Sequence, residues 1–496
     1  MRKQHLLYLL VFFYLFNSIS LSGQSLSDEV SLVIERENVN SESTDRSSRT
    51  LLSGDLIIQS NSLQDIKLPN PIEHVQGNVS IQYSPELQSL LGLQSLKHIE
   101  GDLRIVGNPG LYDLSGLNNL QYIGGDLVLR NNAQLTRLAG LEKVVIKGSI
   151  IIESNPALAT LEGLNIGTEL HGHLRLQTNV SLIDIAALDD LQSIEGDLLI
   201  ANNSALKSIE VFNEVRELGG DLRLVFNAGL EEIGDFPKLE NIGGSLVVER
   251  NPSLVSVGIF PQLLSVEGEV LFRSLPQVQT LGAMPQLSSI GAKLRIIQLA
   301  QLTAAPVLGQ NFTIGQEIEL RDNAELIRID GLSGLQAISG KLIIRNNERL
   351  TSLIGLEAID ATTIQELELR NNPLLDYCHV VAICNYLELE NASAAVELNK
   401  ANCASVPIIQ DQCLREQLSN NQYLQVFPNP AIDQIQLPFQ EEVRSLRLIS
   451  SSGQVLRELN NWSGPELNIQ ELTPGSYYLE VVDQQDQPQW LSFVKQ

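Results

Sequence analysis

The sequence predicts a mainly β chain: a parallel β-solenoid of about fourteen coils of ~24 residues, a cysteine-containing cap, and a small Ig-like β-sandwich at the carboxyl end. Three observations carry this prediction. A Gly-Asp-Leu-x-Ile phrase returns every 23, 24 or 25 residues. All four cysteines, Cys378, Cys384, Cys403 and Cys413, crowd one stretch after its last return. Beyond them the period gives way to short alternating strands separated by Ser-Gly and Pro-Gly turns.

In chain order, Arg2 and Lys3 precede an apolar run from Leu6 to Phe16 and then small residues, the order of a secretory signal over 1–24, with cleavage expected after Ser20, Ser22 or Gln24. The run is too short to span a bilayer and no other reaches ~18 apolar residues, so export without a transmembrane segment is expected. Residues 25–50 read as a linker. The 496 residues carry 59 acidic and 33 basic side chains, a formal charge of −26, on a 43% apolar background. That content is too apolar for a disordered polyanion. The charge argues against a nucleic-acid partner, because such binding rests on Lys and Arg neutralising phosphates. With 5% aromatic residues, broad stacking platforms are also unexpected.

The solenoid is expected over 51–377, with anchors from Gly54 to Gln365. The best-formed unit runs from Ile123 to Leu141 around the anchor Gly125, with apolar residues two, four, ten, thirteen and sixteen places on. Alternation at plus two and plus four, as in Leu127 and Leu129, marks a short strand with those side chains inward. One unit cannot bury its own apolar face, whereas stacked copies can. At ~4.8 Å between strands, fourteen coils give a sheet about 65 Å long. Asparagine occupies plus seven at Asn61, Asn108, Asn132, Asn155, Asn179, Asn203, Asn227, Asn251, Asn323, Asn347 and Asn372, and is read as a structural ladder bonding the backbone of its own turn and the next coil. The exceptions are Ser84, Leu275 and Leu299. The adjacent pair of leucines predicts an irregular stack between about 268 and 315, either a seam between two halves or a local switch to an apolar ladder.

The phrase Ile-x-Gly-Asp-Leu-x-Ile-x-x-Asn-x-x-Leu-x-x-Leu-x-Gly-Leu, matched almost without gaps by Ile99–Leu117 and Ile338–Leu356, resembles the receptor L-domain family of leucine-rich-repeat-like modules, over roughly 51–377. The resemblance implies a right-handed coil whose surfaces bind proteins or glycans. Residues 378–413 look like the Cys-containing carboxyl-terminal caps of bacterial leucine-rich-repeat proteins. An even, clustered set of cysteines in an exported chain reads as two disulfides, with zinc as the alternative that the spacing disfavours. With a short helix expected between Cys378 and Leu387, two cysteines six apart would stand about 9 Å apart by rise alone. Cys378 and Cys384 are therefore each expected to pair with one of Cys403 and Cys413.

After a linker at 414–424, residues 425–496 hold Val426-Phe-Pro-Asn-Pro430, a Ser-Gly turn at Gly453, Leu472-Thr-Pro-Gly-Ser-Tyr-Tyr-Leu479 and a terminal Phe493-Val-Lys-Gln496. This ordered set resembles the carboxyl-terminal sorting domain of the Bacteroidetes type IX secretion system. It implies the type IX secretion machinery as a partner, and a secreted or outer-cell-surface location.

No His-Glu-x-x-His phrase and no evident nucleophile–base pair occurs, so no catalytic residue, metal or cofactor is expected and the chain reads as a non-enzyme. His171 and His173 are the sharpest metal candidates, but lack a third ligand and read as solvent-facing. Asp102/Asp126 and Asp197/Asp221 on successive coils could bridge Ca²⁺, although an aspartate after glycine more often bonds its own turn. Arg321, Arg345 and Arg370 form an outward row and a candidate ligand face, with Glu319 and Glu368 close enough to neutralise it. Val225, Phe226 and Val247 form an outward apolar set. The function expected from all this is an exported binding or adhesion protein for an unidentified protein or glycan, with a structural surface-layer component as the alternative.

Overall fold

The computed structural model describes residues 31–34, 50–68, 70–420, 429, 431–437, 443–450, 454–462, 464, 466–482 and 488–496. The signal expected at 1–24 and most of the linker expected at 25–50 lie outside the described residues. The fold is mainly β, a parallel solenoid of about fourteen turns followed by antiparallel sheets. The chain divides into two compact units, residues 1–302 with 306–310, and residues 303–305 with 311–496.

In the first unit each coil gives one strand to a parallel sheet, from Leu56–Gln59 to Lys293–Ile297. Register is kept coil to coil, with Leu103 opposite Leu127 and Leu127 opposite Ile150. Like therefore stacks on like, and the inward leucines form continuous columns. The coil after Gly125 buries Leu127, Leu129, Leu135, Leu138 and Leu141, the five places read from the sequence, and adds Val144 and Ile146. At plus sixteen Phe212, Phe236 and Phe260 replace leucine on three successive coils and stack, with ring centroids 5.8 and 4.9 Å apart.

Where strand meets turn, the residue six past the anchor adopts a left-handed conformation, φ +57° at Asn131, +59° at Phe226 and +55° at Arg250. For a non-glycine residue this costs about 1–2 kcal/mol. The amide at plus seven offsets it by bonding the buried backbone that the corner would otherwise strand. Leu275 and Leu299, which lack that amide, are fully buried. Their coils nonetheless keep full register, Val270 opposite Leu294 through Arg273 opposite Ile297. The stack is thus regular up to Ile297, with apolar side chains in place of amides, and the boundary between units falls at 302–311. A further strand inside the expected linker, Ser31–Ile34, pairs antiparallel with Leu56–Gln59 at the amino-terminal edge.

In the second unit Glu317–Arg321, Lys341–Arg345, Glu366–Arg370 and Ala394–Glu397 continue the same parallel pattern. The cap follows, with helices at Val381–Leu387 and Val406–Asn420, the second running beyond the boundary expected at 413. Cys378 pairs with Cys403 and Cys384 with Cys413. Cys378 precedes the first helix instead of lying on it, so the pairing does not arise from helical rise as expected. Tyr386 is buried between these pieces: its hydroxyl donates to the Ser393 carbonyl at 2.8 Å and accepts from the Ser393 N–H at 2.9 Å. The described strands within 431–496 form two antiparallel sheets around Ile435, Leu446, Leu467, Leu479 and Phe493.

Candidate interaction surface

Two side-chain ladders run along the coils, and together they define which positions remain for a ligand. In the asparagine ladder each amide reaches back one coil. Asn203 Oδ1 accepts the Asn179 N–H at 2.9 Å, and its Nδ2 donates to the Leu176 carbonyl at 2.9 Å. The same geometry holds Asn108, Asn132, Asn155, Asn227 and Asn251, and, in the second unit, Asn347 and Asn372. Asn323 donates its backbone N–H to Asn347 Oδ1. Ser84 serves with its hydroxyl, accepting from the Ser60 N–H. Asn61 is exposed and takes no such place, because the first coil is one residue shorter and presents Ser60 there. The last rung is Asn399, inside the cap, which accepts from the Asn372 N–H at 3.0 Å. The interrupted period hid it from the sequence reading.

The second ladder uses the residue after the anchor. Asp55, Asn78, Asp102, Asp126, Asp197 and Asp221 each present Oδ1 to a backbone N–H one coil further on, at 2.7–2.8 Å. Ser149 and Ser245 do so with a hydroxyl and His173 with Nδ1. The aspartates thus bond the next coil and not their own turn, because successive anchors stack directly. This also accounts for the glycine at the anchor. A Cβ at Gly125 would stand 2.1 Å from Asp102 Oδ1, and one at Gly220 2.1 Å from Asp197 Oδ1.

The calcium and histidine candidates are occupied by these bonds. Asp102 uses Oδ1 for the Asp126 N–H and Oδ2 for Arg104 at 2.6 Å. His171 Nδ1 faces Glu195 at 2.9 Å, and His173 Nδ1 accepts the Asp197 N–H at 2.8 Å, which places its ring proton on Nε2. Among the described residues no group of three His, Cys, Asp or Glu is placed to hold a metal.

The outward face of the sheet, at plus three and plus five, belongs neither to the inward core nor to the two ladders. Val225 and Val247 lie there in a buried cluster with Ala201, Leu271 and Ile297. Phe226 is separate from them, 42% exposed on the left-handed corner with the Arg250 guanidinium 5.0 Å from its ring. Arg321, Arg345 and Arg370 are brought into register as a row. Carboxylates come with them. Arg321 meets Glu319 and Asp322 at 2.5 and 2.7 Å, Arg370 meets Glu397 at 3.4 Å, and among the described residues Arg345 reaches only Glu368, at 3.6 Å. The plus-three column of the first unit adds Arg175 and Arg223, which the sequence reading passed over; the signal for them was the column itself, read across coils. Two surface hollows of about 460 and 640 Å³ lie away from these columns, one at the corner lined by Pro252 and Pro276, the other lined by Gly167, Thr168 and Asp190.

In the cap, a hydrogen bond from Lys400, whose Nζ lies 3.0 Å from Asp376, holds the Asp376 carboxyl below the usual carboxylate range. Burial pushes the Tyr386 phenol up.

Comparison with known families gives two matches. Residues 73–168 match the receptor L domain, and residues 425–491 match the secretion system C-terminal sorting domain. No curated protein matches the chain. The first match covers about four coils, and the other coils repeat their geometry; an L-domain solenoid is a binding-type, non-enzymatic fold. The second marks the chain for export by type IX secretion, to the medium or the cell surface, through contact with that machinery. Among the described residues no helix is long and apolar enough to cross a membrane.

Proposed function

We propose that this chain is a secreted or surface-attached binding protein that holds a protein or glycan on the outward face of its solenoid sheet and acts there without catalysis. One observation carries the reading: the side chains that build each coil are committed to core or ladder, whereas those at plus three and plus five, outside the apolar cluster of Ala201, Val225, Val247, Leu271 and Ile297, serve neither. Plus two and plus four fill the core, plus one and plus seven form the ladders, and the outward places change freely from coil to coil, from Arg175 to Leu199 to Arg223 to Val247. A surface released from the fold's own requirements is where recognition is free to vary. In the second unit the Arg321–Arg345–Arg370 row occupies the equivalent plus-five column, with Arg345 its least neutralised member.

The test is a binding screen of the full chain against a glycan array and surface extracts, followed by titration of each hit. Saturable binding weakened by Arg345→Glu or Arg175→Glu is expected. Self-association with no other ligand would overturn the reading in favour of a structural surface-layer component.

A further inference from the structure

The outward columns of the first unit differ in sign from the protein that carries them. At plus three and plus five between residues 54 and 302 stand Arg104, Arg130, Arg175, Arg223, Arg273 and Arg295, against Glu153 and Glu249, with neither lysine nor aspartate. The chain as a whole is at −26. Both glutamates are already engaged, Glu153 with Arg130 at 2.6 Å and Glu249 with Arg273 and Arg250. Arg104 is held by Asp102.

Arg175 and Arg223 are held least. Among the described residues no carboxylate stands within ion-pair distance of Arg175, and Arg223 has only Asp221, at 3.8 Å. Both are partly exposed, and they share the plus-three column two coils apart, with Leu199 in register between them. At ~4.8 Å per strand their Cα atoms lie about 10 Å apart.

We propose that the face carrying Arg175 and Arg223 binds a linear anionic polysaccharide, each guanidinium forking onto a carboxylate or sulfate and Leu199 meeting the sugar between them. The proposal rests on the binding role given to the sheet face above. Arginine is the side chain whose planar fork matches such anions, and its exclusive use over lysine fits that geometry. On an acidic protein a polyanion is repelled everywhere except at a local strip of opposite sign. An extended acidic peptide presents same-side groups every ~6.6 Å, out of step with arginines about 10 Å apart. Neither of the two hollows described above is lined by residues of this face. A polysaccharide needs none, since repeated weak contacts along a flat surface sum to useful avidity.

The test uses the full chain and four immobilised probes: heparin for sulfates, polygalacturonate for carboxylates, dextran as a neutral glycan and poly-L-glutamate as an acidic polypeptide. Binding to heparin or polygalacturonate, weakening with salt and absent on dextran, is expected to fall at least tenfold in R175Q/R223Q and to recover in part in R175K/R223K. R415Q removes one positive charge, against two in R175Q/R223Q, from the cap helix, where Arg415 pairs with Asp411, and is expected to change nothing. The thermal midpoint of each variant separates lost binding from lost folding. Unchanged binding in R175Q/R223Q, or an equal fall in R415Q, would overturn the proposal. So would poly-L-glutamate binding as tightly with the same arginine dependence, which would assign the site to acidic proteins. If no anionic glycan binds while the array or extract screen still yields a ligand sensitive to Arg175→Glu, the ligand class fails and the binding face stands.

Discussion

The backbone N–H of Asp197 donates to Nδ1 of His173, one coil earlier, at 2.8 Å. Histidine here fills a place held elsewhere by Asp102, Asp126 or Asp221, because the ladder asks only for an acceptor at that point. His173→Leu removes the acceptor and leaves the N–H to partial solvent, which costs about 1 kcal/mol. His173→Asp restores the commoner residue and is expected to hold stability. Thermal unfolding of the two variants decides the matter; equal midpoints would show that the bond contributes nothing.

Asn203 is the stronger case, being fully buried. Asn203→Ala leaves the Asn179 N–H and the Leu176 carbonyl without their partner, about 2–4 kcal/mol together. Hydrogen exchange is expected to rise first at Asn179 and the adjoining coil, since each coil rests only on its neighbours. Uniform exchange across the chain would argue against a local ladder.

Metal removal is expected to do nothing to the Asp102/Asp126 and Asp197/Asp221 pairs. Each Oδ1 is bonded to a backbone N–H, and the Asp102 Oδ2 is bonded to Arg104. Excess EGTA should leave the thermal midpoint in place. A fall reversed by added Ca²⁺ would reveal an ion bound between the carboxylates.

The period made the solenoid legible because every coil repeats the same inward places, so fourteen weak signals add. It disclosed Leu127, Leu129 and the asparagine ladder for that reason. It could not disclose that Asp102 serves the next coil, since a local turn and a stacked neighbour use the same residue. It overstated Asn61, where a coil one residue shorter shifts the rung to Ser60, and it missed Asn399, where the cap interrupts the spacing. The outward face was the least legible part. Arg321, Arg345 and Arg370 stood out as an unbroken row, whereas Arg175 and Arg223 are separated by Leu199 and emerge only when the column is read down the sheet.

Tyr386 gives the cap a defined response to alkali. Its phenol is buried, and burial raises its pKa above the usual tyrosine value near 10. A group whose folded pKa is raised contributes stability that is fully present below the unfolded pKa and is lost as pH rises through the folded one. The cap is therefore expected to hold its stability up to about pH 10 and to weaken above it, as the neutral hydroxyl that donates to the Ser393 carbonyl is lost. Tyr386→Phe removes the titrating group, so its stability should be lower at neutral pH and flatter above pH 10. Unfolding midpoints followed across this range, with tyrosinate absorbance recorded in parallel, test the assignment. A wild-type alkaline slope that persists unchanged in Tyr386→Phe would place the sensitivity on another group.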